Sequence, residues 1–251
     1  MEIQILDISE DSAFDANAEK AKGTAGVLIK GGQGELAYDF APLVAQCIAA
    51  GLPYGFYWVV DARFHSTDHF SAIQKAFPTG FGQLGLWLDW EKPLTTMTDA
   101  QYSALPYAGY KDCSGLIVLL KAWTNQLKGI YTSIGFWDLL SVPHGDVTNQ
   151  GTAEWFANQC DLWEAEYGVT TPVKIGAWAN YTLWQFQESP DYSTFNGTQD
   201  EFNSYFSLAS SPVVSAPVTQ VTQVTPSQSV TLPIYTFTPT ADGTYTLKVT
   251  P

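Results

Sequence analysis

Short apolar runs alternate with longer stretches of helical period over residues 1 to about 206. "IQILDIS", "AGVLIKGG", "YGFYWVV", "LGLWLDWE", "GIYTS", "LWEAEYG" and "TLWQFQ" have the length, the β-branched and aromatic content and the flanking breakers of strands. Between them, "DFAPLVAQCIAAG" predicts a helix. Asp39 is placed to cap it, Phe40, Leu43, Val44, Cys47 and Ile48 form its apolar stripe, and Gly51 suits its end. "SGLIVLLKAWTNQL" predicts another helix, and "TAEWFANQCDLW" starts as a third. Strand, helix and strand in repetition argue for a barrel or a doubly wound sheet. No short internal repeat is evident.

The pattern changes after Phe206. Residues 207–229 are rich in Ser, Thr, Pro, Val and Gln, carry no charge, and predict an extended linker. Residues 230–251 are rich in Thr, Tyr and Val, with "ADGT" as a turn between two strand-like runs. They predict a β-rich appendage: a hairpin docked on the main domain, or part of a wall-binding module.

"LGLWLDWEKP", residues 84–93, sets two acids in an apolar run. Read as a strand, it points Trp87, Asp89 and Glu91 to one face and Leu86, Leu88 and Trp90 to the other. The two acids then lie roughly 6 to 7 Å apart along the backbone, two strand rises. A strand apolar on both faces is buried on both, as in a parallel sheet or barrel, and acids at its C-terminal end sit at the mouth where α/β folds keep their sites. Like charges this close favour retention of one proton, which a general acid requires. The bland alternative is a strand end whose acids meet water or a lysine.

Composition narrows the partners. The formal net charge of −14 argues against nucleic acid and anionic membranes. Nine Trp and thirteen Tyr suit sugar stacking and suit a large core equally well. No apolar run reaches the length of about 18 residues that spans a membrane, so no membrane insertion is expected. "MEIQILDISED" does not read as a secretory signal. Cys47, Cys113 and Cys160 are odd in number and lack metal spacing, so free buried thiols are expected. His65 and His69, with no third ligand in sequence, read as surface or loop residues, and neither a metal nor another cofactor is implied.

Taken together, the strand-end residues resemble glycoside hydrolase family 25, the muramidases of phage endolysins and bacterial autolysins. The family's D-[IV]-S is met by Asp7, Ile8 and Ser9. Its FIKATEG resembles "VLIKGGQG", with Lys30 and Gly34, and its GAYHF resembles "YGFYW", with Tyr57. Its D-x-E is met by Asp89 and Glu91, and its IYTS by the run containing Tyr131. LWxAxYG is met through Tyr167 and Gly168, and WQ[YF] by Trp184, Gln185 and Phe186. The family's VDLNxF is approximated by Asp200, Phe202 and Asn203. Three departures stand out. Gln33 takes the place of a Glu, Trp58 takes the place of a His and would alter sugar stacking, and "DEFN" is one residue longer than DLN.

The resemblance implies an α/β fold, an irregular TIM-like (β/α) barrel of eight strands with fewer helices, over residues 1–206. It implies cleavage of the β-1,4 bond between N-acetylmuramic acid and N-acetylglucosamine in bacterial peptidoglycan, by a monomer without cofactor. Glu91 is expected as the general acid and base, and Asp89 as the ionised carboxylate that stabilises charge. Asp7 and Asp200 complete the expected catalytic set. Lys30, Tyr57, Tyr131, Tyr167, Trp184 and Gln185 are expected to bind substrate. In this family the substrate's 2-acetamido group is often proposed as the internal nucleophile. The expected place of action is the bacterial wall, reached through a phage holin or another export route.

Two other readings compete. A family 18 chitinase requires DGxDxDxE, and Leu84 and Trp87 stand where its first two acids belong. A wall-binding or phage structural domain with the hydrolase fold and weak catalysis stays open through Gln33 and Trp58.

Overall fold

The computed structural model describes residues 2–10, 12–94, 96–144, 150–208, 234–239 and 245–250, with the backbone alone for 140–144, 150–152 and the last two segments. In chain order the strands are β1 (Gln4–Ile8), β2 (Gly26–Gln33), β3 (Leu36–Ala37), β4 (Tyr54–Val59), β5 (Leu86–Asp89), β6 (Leu127–Ser133), β7 (Asp161–Ala165), β8 (Leu183–Gln187), β9 (Asp191–Phe195), β10 (Ile234–Pro239) and β11 (Tyr245–Thr250). The helices are α1 (Ala16–Lys22), α2 (Ala41–Ala50), α3 (Ser66–Ala76), α4 (Asp99–Ser103), α5 (Tyr110–Trp123), α6 (Ile134–His144), α7 (Gln150–Gln159) and α8 (Gln199–Tyr205).

Hydrogen bonding runs β1-β2-β4-β5-β6-β7-β8-β9 and returns from β9 to β1, which closes an eight-stranded barrel, while β3 is a short arm on β2. The seven strands β1, β2 and β4 to β8 run parallel to their neighbours, and β9 is antiparallel to both β8 and β1. The reversal has a local cause. Only three residues, 188–190, join β8 to β9, too few for the crossover that a parallel neighbour needs.

Alternation along the strands builds two cores. Ile5, Leu28, Trp87, Trp163, Leu183 and Phe195 fill the barrel. Leu6, Ile29, Phe56, Leu88, Ile130 and Leu162 face outward and join the helices in the larger apolar layer. The run of residues 86–89 is buried on both faces, as its composition predicts. Phe202 and Phe206, in and just after α8, pack on Ile3 and Phe195 and so close the barrel at the end away from the strand C-termini.

Local details differ from expectation in three places. The α2 stripe is narrower than predicted, because Ile48 is 63% exposed. Asp39 accepts from the Ala41 backbone N–H at 3.3 Å, while Phe40 holds the N-cap position. His69 lies inside α3, 1% exposed, and is no surface or loop residue. His65, half-buried, lies in the loop before α3 as expected and serves as the helix's N-cap. The three cysteines are buried and free, as expected.

Contacts divide the chain into two units, Met1–Ser210 and Ser211–Pro251. In the second, β10 and β11 pair antiparallel from Ile234↔Thr250 to Pro239↔Tyr245. The expected linker lies almost entirely outside the described residues, as does the "ADGT" turn. No helix among the described residues is long and apolar enough to cross a membrane.

Candidate active site

The C-terminal ends of the parallel strands form one rim of the barrel, and acids gather there. Asp7 near the end of β1, Asp89 at the end of β5 and Glu91 just beyond it converge. Each of Asp7 and Glu91 raises the proton affinity of a neighbour in the group, Glu91 acting on both Asp7 and Asp89. The Trp90 backbone N–H bonds to the Tyr131 carbonyl at 2.9 Å and extends the β5–β6 ladder past Asp89. Side chains therefore keep alternating, and Glu91 follows Asp89 to the inner face while Trp90 packs outside on Phe136, Trp137 and Phe156.

A buried floor of aromatics supports these acids. Trp163 sits edge-on to Trp87, Tyr57 and Tyr131, with centroids at 6.0, 6.1 and 4.8 Å. Its indole N–H donates to Ser193 Oγ at 2.9 Å, which satisfies a polar group inside the barrel. Gln185, 4% exposed, ties the rim together. Its Nε2 donates to Asp7 Oδ2 at 2.9 Å, and its Oε1 accepts from the Tyr131 and Tyr167 hydroxyls at 2.7 and 2.6 Å. Lys30 is the register partner of Tyr57, lies 5.3 Å from the centroid of the Tyr38 ring, and favours the ionised forms of Asp89 and Glu91.

Burial raises the proton affinity of both acids of the D-x-E pair. Desolvation, then the charge of Glu91, push Asp89 well above the usual carboxylate range. Glu91 is also raised by burial, but Lys30 and Lys92 pull it back. Asp89, 6% exposed, is the more deeply enclosed of the two, and both acids are held above their ordinary range. Asp89 Oδ1 has no hydrogen-bond partner among the described residues. Asp7 is raised well above its ordinary range by burial and by the neighbouring Asp191.

Asp191 is the residue that the sequence reading missed. It is paired in register with Asp7 and half-buried, and its own proton affinity is raised mainly by desolvation. A signal was present: Asp191 and Phe195 reproduce the D and F of the motif VDLNxF at its own spacing. Asp200, which was assigned to that motif, is exposed in the first turn of α8, at the closed end of the barrel. It is not part of this cluster.

Trp184 also stands apart. It neighbours Gln185 on β8, so it must face outward where Gln185 faces inward. Its indole donates to the Glu166 carbonyl at 2.8 Å, and its ring meets Tyr181 and Phe186. Trp58 is likewise outside the barrel, fully buried, with its Nε1 donating to His69 Nδ1 at 3.2 Å, so it does not alter stacking in the cleft. Gln33 turns from the carboxylates to Asp61 and Pro93. No group of metal-ligating side chains occurs among the described residues.

Comparison with known proteins agrees with this geometry. The sequence model for glycosyl hydrolases family 25 matches residues 6–195. No curated protein matches the chain. Among solved structures, a family GH25 lysozyme from Aspergillus fumigatus is 21% identical, with a TM-score of 0.65 over 82% of this chain and 99% of that one. A bacterial lysozyme from Streptomyces coelicolor is 19% identical, with a TM-score of 0.62 over 83% and 97%. The catalytic domain of the endolysin ply40, from bacteriophage P40 of Listeria monocytogenes, is 20% identical, with a TM-score of 0.53 over 82% and 98%. At such identities these likenesses establish the fold.

Proposed function

The chain belongs to glycosyl hydrolases family 25, and from that premise we propose that it is a peptidoglycan hydrolase that cuts the β-1,4 bond between N-acetylmuramic acid and N-acetylglucosamine. The observation that carries this reading is the convergence of Asp7, Asp89, Glu91 and Asp191 above an aromatic floor at the open rim of the barrel. The chitinase reading gives way to the family match. The two departures that kept a binding-only reading open, Gln33 and Trp58, engage Asp61 and His69, which leaves the acids unaltered.

Glu91 is half-buried and therefore accessible, whereas Asp89 is enclosed. The two share a proton and titrate as a pair. A 2-acetamido N–H donated to the Asp89 carboxylate favours its ionised form. Substrate binding thus favours the shared proton on Glu91. Glu91 then protonates the glycosidic oxygen as the bond from C1 of muramic acid breaks, and the acetamido oxygen closes on C1. Water opens the resulting ring while Glu91 takes its proton back. Asp191, and Asp7 in its ionised form, add negative potential that favours the developing positive charge. Gln185 holds Asp7 and the hydroxyls of Tyr131 and Tyr167 in place, and with Tyr57 these rings line the sugar path. Lys30 keeps the pair from binding a second proton. The barrel acts on its substrate in the bacterial wall as a monomer without cofactor.

Reducing-end analysis tests this directly. After digestion of purified sacculi and borohydride reduction, mass spectrometry should find muramicitol at the new ends. Glucosaminitol, or no new ends, would refute the assignment.

A further inference from the structure

Two departures noted in sequence, Gln33 and Trp58, turn out to be the ends of one hydrogen-bonded chain. Trp58 Nε1 donates to His69 Nδ1 at 3.2 Å, so His69 Nε2 carries the proton and donates to the Asp61 carbonyl at 3.1 Å. The Asp61 carboxylate, with a fully buried side chain, is gripped by Arg63 through Nε at 2.9 and 3.1 Å, through Nη2 at 2.5 Å, and through the Arg63 backbone N–H at 3.0 Å. Gln33 Nε2 donates to Asp61 Oδ2 at 3.0 Å and to the Pro93 carbonyl at 3.1 Å. Both partners are oxygens, so only the NH₂ end of the amide serves them. The Trp58 ring also lies against Gly32, where an added Cβ would stand 2.4 Å from it, and this pins the end of β2 beside Gln33.

We propose that Gln33 is a positioning residue for Glu91, clamping the segment 91–93 to the anchored Asp61 through its side-chain amide. The inference rests on the hydrolase reading for its effect on turnover, but not for the contact itself. Pro93 is buried and two residues beyond Glu91, so its carbonyl fixes where the acid leaves the strand. A Glu at position 33 would face a carboxylate already held ionised: burial raises Asp61, but the bonds from Arg63 and Gln33 outweigh it and lower its proton affinity. Glu lacks a donor for either oxygen unless it is itself protonated. The chain that orients Asp61 is thus matched to Gln at position 33.

The test uses the full chain with Gln33→Met, which removes both donors, and Gln33→Glu, which restores one only when protonated. Two readouts run together: the carboxyl titration of Glu91 followed by carbon-13 NMR, and kcat and KM on purified peptidoglycan. Gln33→Met should shift the Glu91 midpoint and lower kcat by about tenfold or more at nearly unchanged KM, since small displacements of catalytic groups are costly. Gln33→Glu should lose turnover near neutral pH and recover part of it as pH falls. If either variant fails to fold, Trp58→Phe keeps the ring on Gly32 and removes only the donor to His69, and it should shift the same midpoint. Glu91 titration and kcat unchanged in the folded variants would overturn the proposal. An unmodified protein that releases no sugar would instead sink the hydrolase reading, and the Glu91 titration would still decide the role of Gln33.

Discussion

At the scale of the residue, burial decides which acids hold protons. The D-x-E pair was legible in sequence because its spacing alone puts both acids on one face of a strand. The rise in proton affinity of both acids was not legible, since it depends on their depth in the barrel mouth, and neither was the opposing pull of Lys30 from β2. Trp184 and Gln185 show a part of the site that was legible: adjacent strand residues face opposite ways, so both could not point into the cleft. A second buried acid lies outside the site. Glu164, 2% exposed on the outward face of β7, has no partner for Oε1 and is the register neighbour of Thr132, whose Oγ1 is also unpartnered among the described residues. Desolvation, then Glu166, push its pKa up to about 7. A carboxyl raised on folding binds its proton more tightly in the native state, so its contribution to stability is intact below the unfolded value and is lost as pH climbs to about 7. At about 1.36 kcal/mol per pKa unit the loss is roughly 3 kcal/mol. Denaturant unfolding at pH 4.5, 6 and 8 should show this decline in the unmodified protein, and Glu164→Gln should flatten it. An equal slope in the variant would assign the pH dependence to other groups.

At the scale of the element, the reversed strand β9 decides where the fourth acid lies. Sequence reading looked for acids at the C-terminal ends of strands, which is right for a parallel barrel. In β9 the rule inverts, because a strand running downward brings its first residue, Asp191, to the rim. The run "DYSTF" is short and largely polar, so its period did not mark it as a strand, and the three-residue turn before it was the only cue to its direction. The same inversion delivers α8 to the closed end, where its amphipathic side supplies Phe202 to the barrel floor and leaves Asp200 in water. The contrast is testable within one family motif. Asp191→Asn should lower kcat/KM on peptidoglycan by about a hundredfold, the size expected for one electrostatic group at a charged transition state. Asp200→Asn should leave it unchanged. The opposite ranking would return the role to α8.

At the scale of the whole molecule, the eight strands of the barrel all lie within the first unit, Met1–Ser210. Among the residues whose side chains are described, both apolar cores are built within the first unit, and hydrogen bonding closes the sheet on itself with β9. Such a unit needs no other segment to bury its edges. A chain ending at Ser210 should therefore keep the thermal midpoint of the barrel and its turnover on soluble muropeptide oligomers. A lost transition or lost turnover would show that residues 211–251 take part in folding or catalysis. Eight strands, two cores and a row of inward acids all serve, on this account, to present one transferable proton at Glu91 beside the carboxylate of Asp89. The most direct measurement is the initial rate of reducing-end release from purified peptidoglycan by Glu91→Gln, with the circular dichroism and thermal midpoint of the variant compared with those of the unmodified protein. The account predicts an unchanged fold and a rate lower by at least about a hundredfold, the usual contribution of a general acid. A folded variant that releases sugar at the unmodified rate would contradict it.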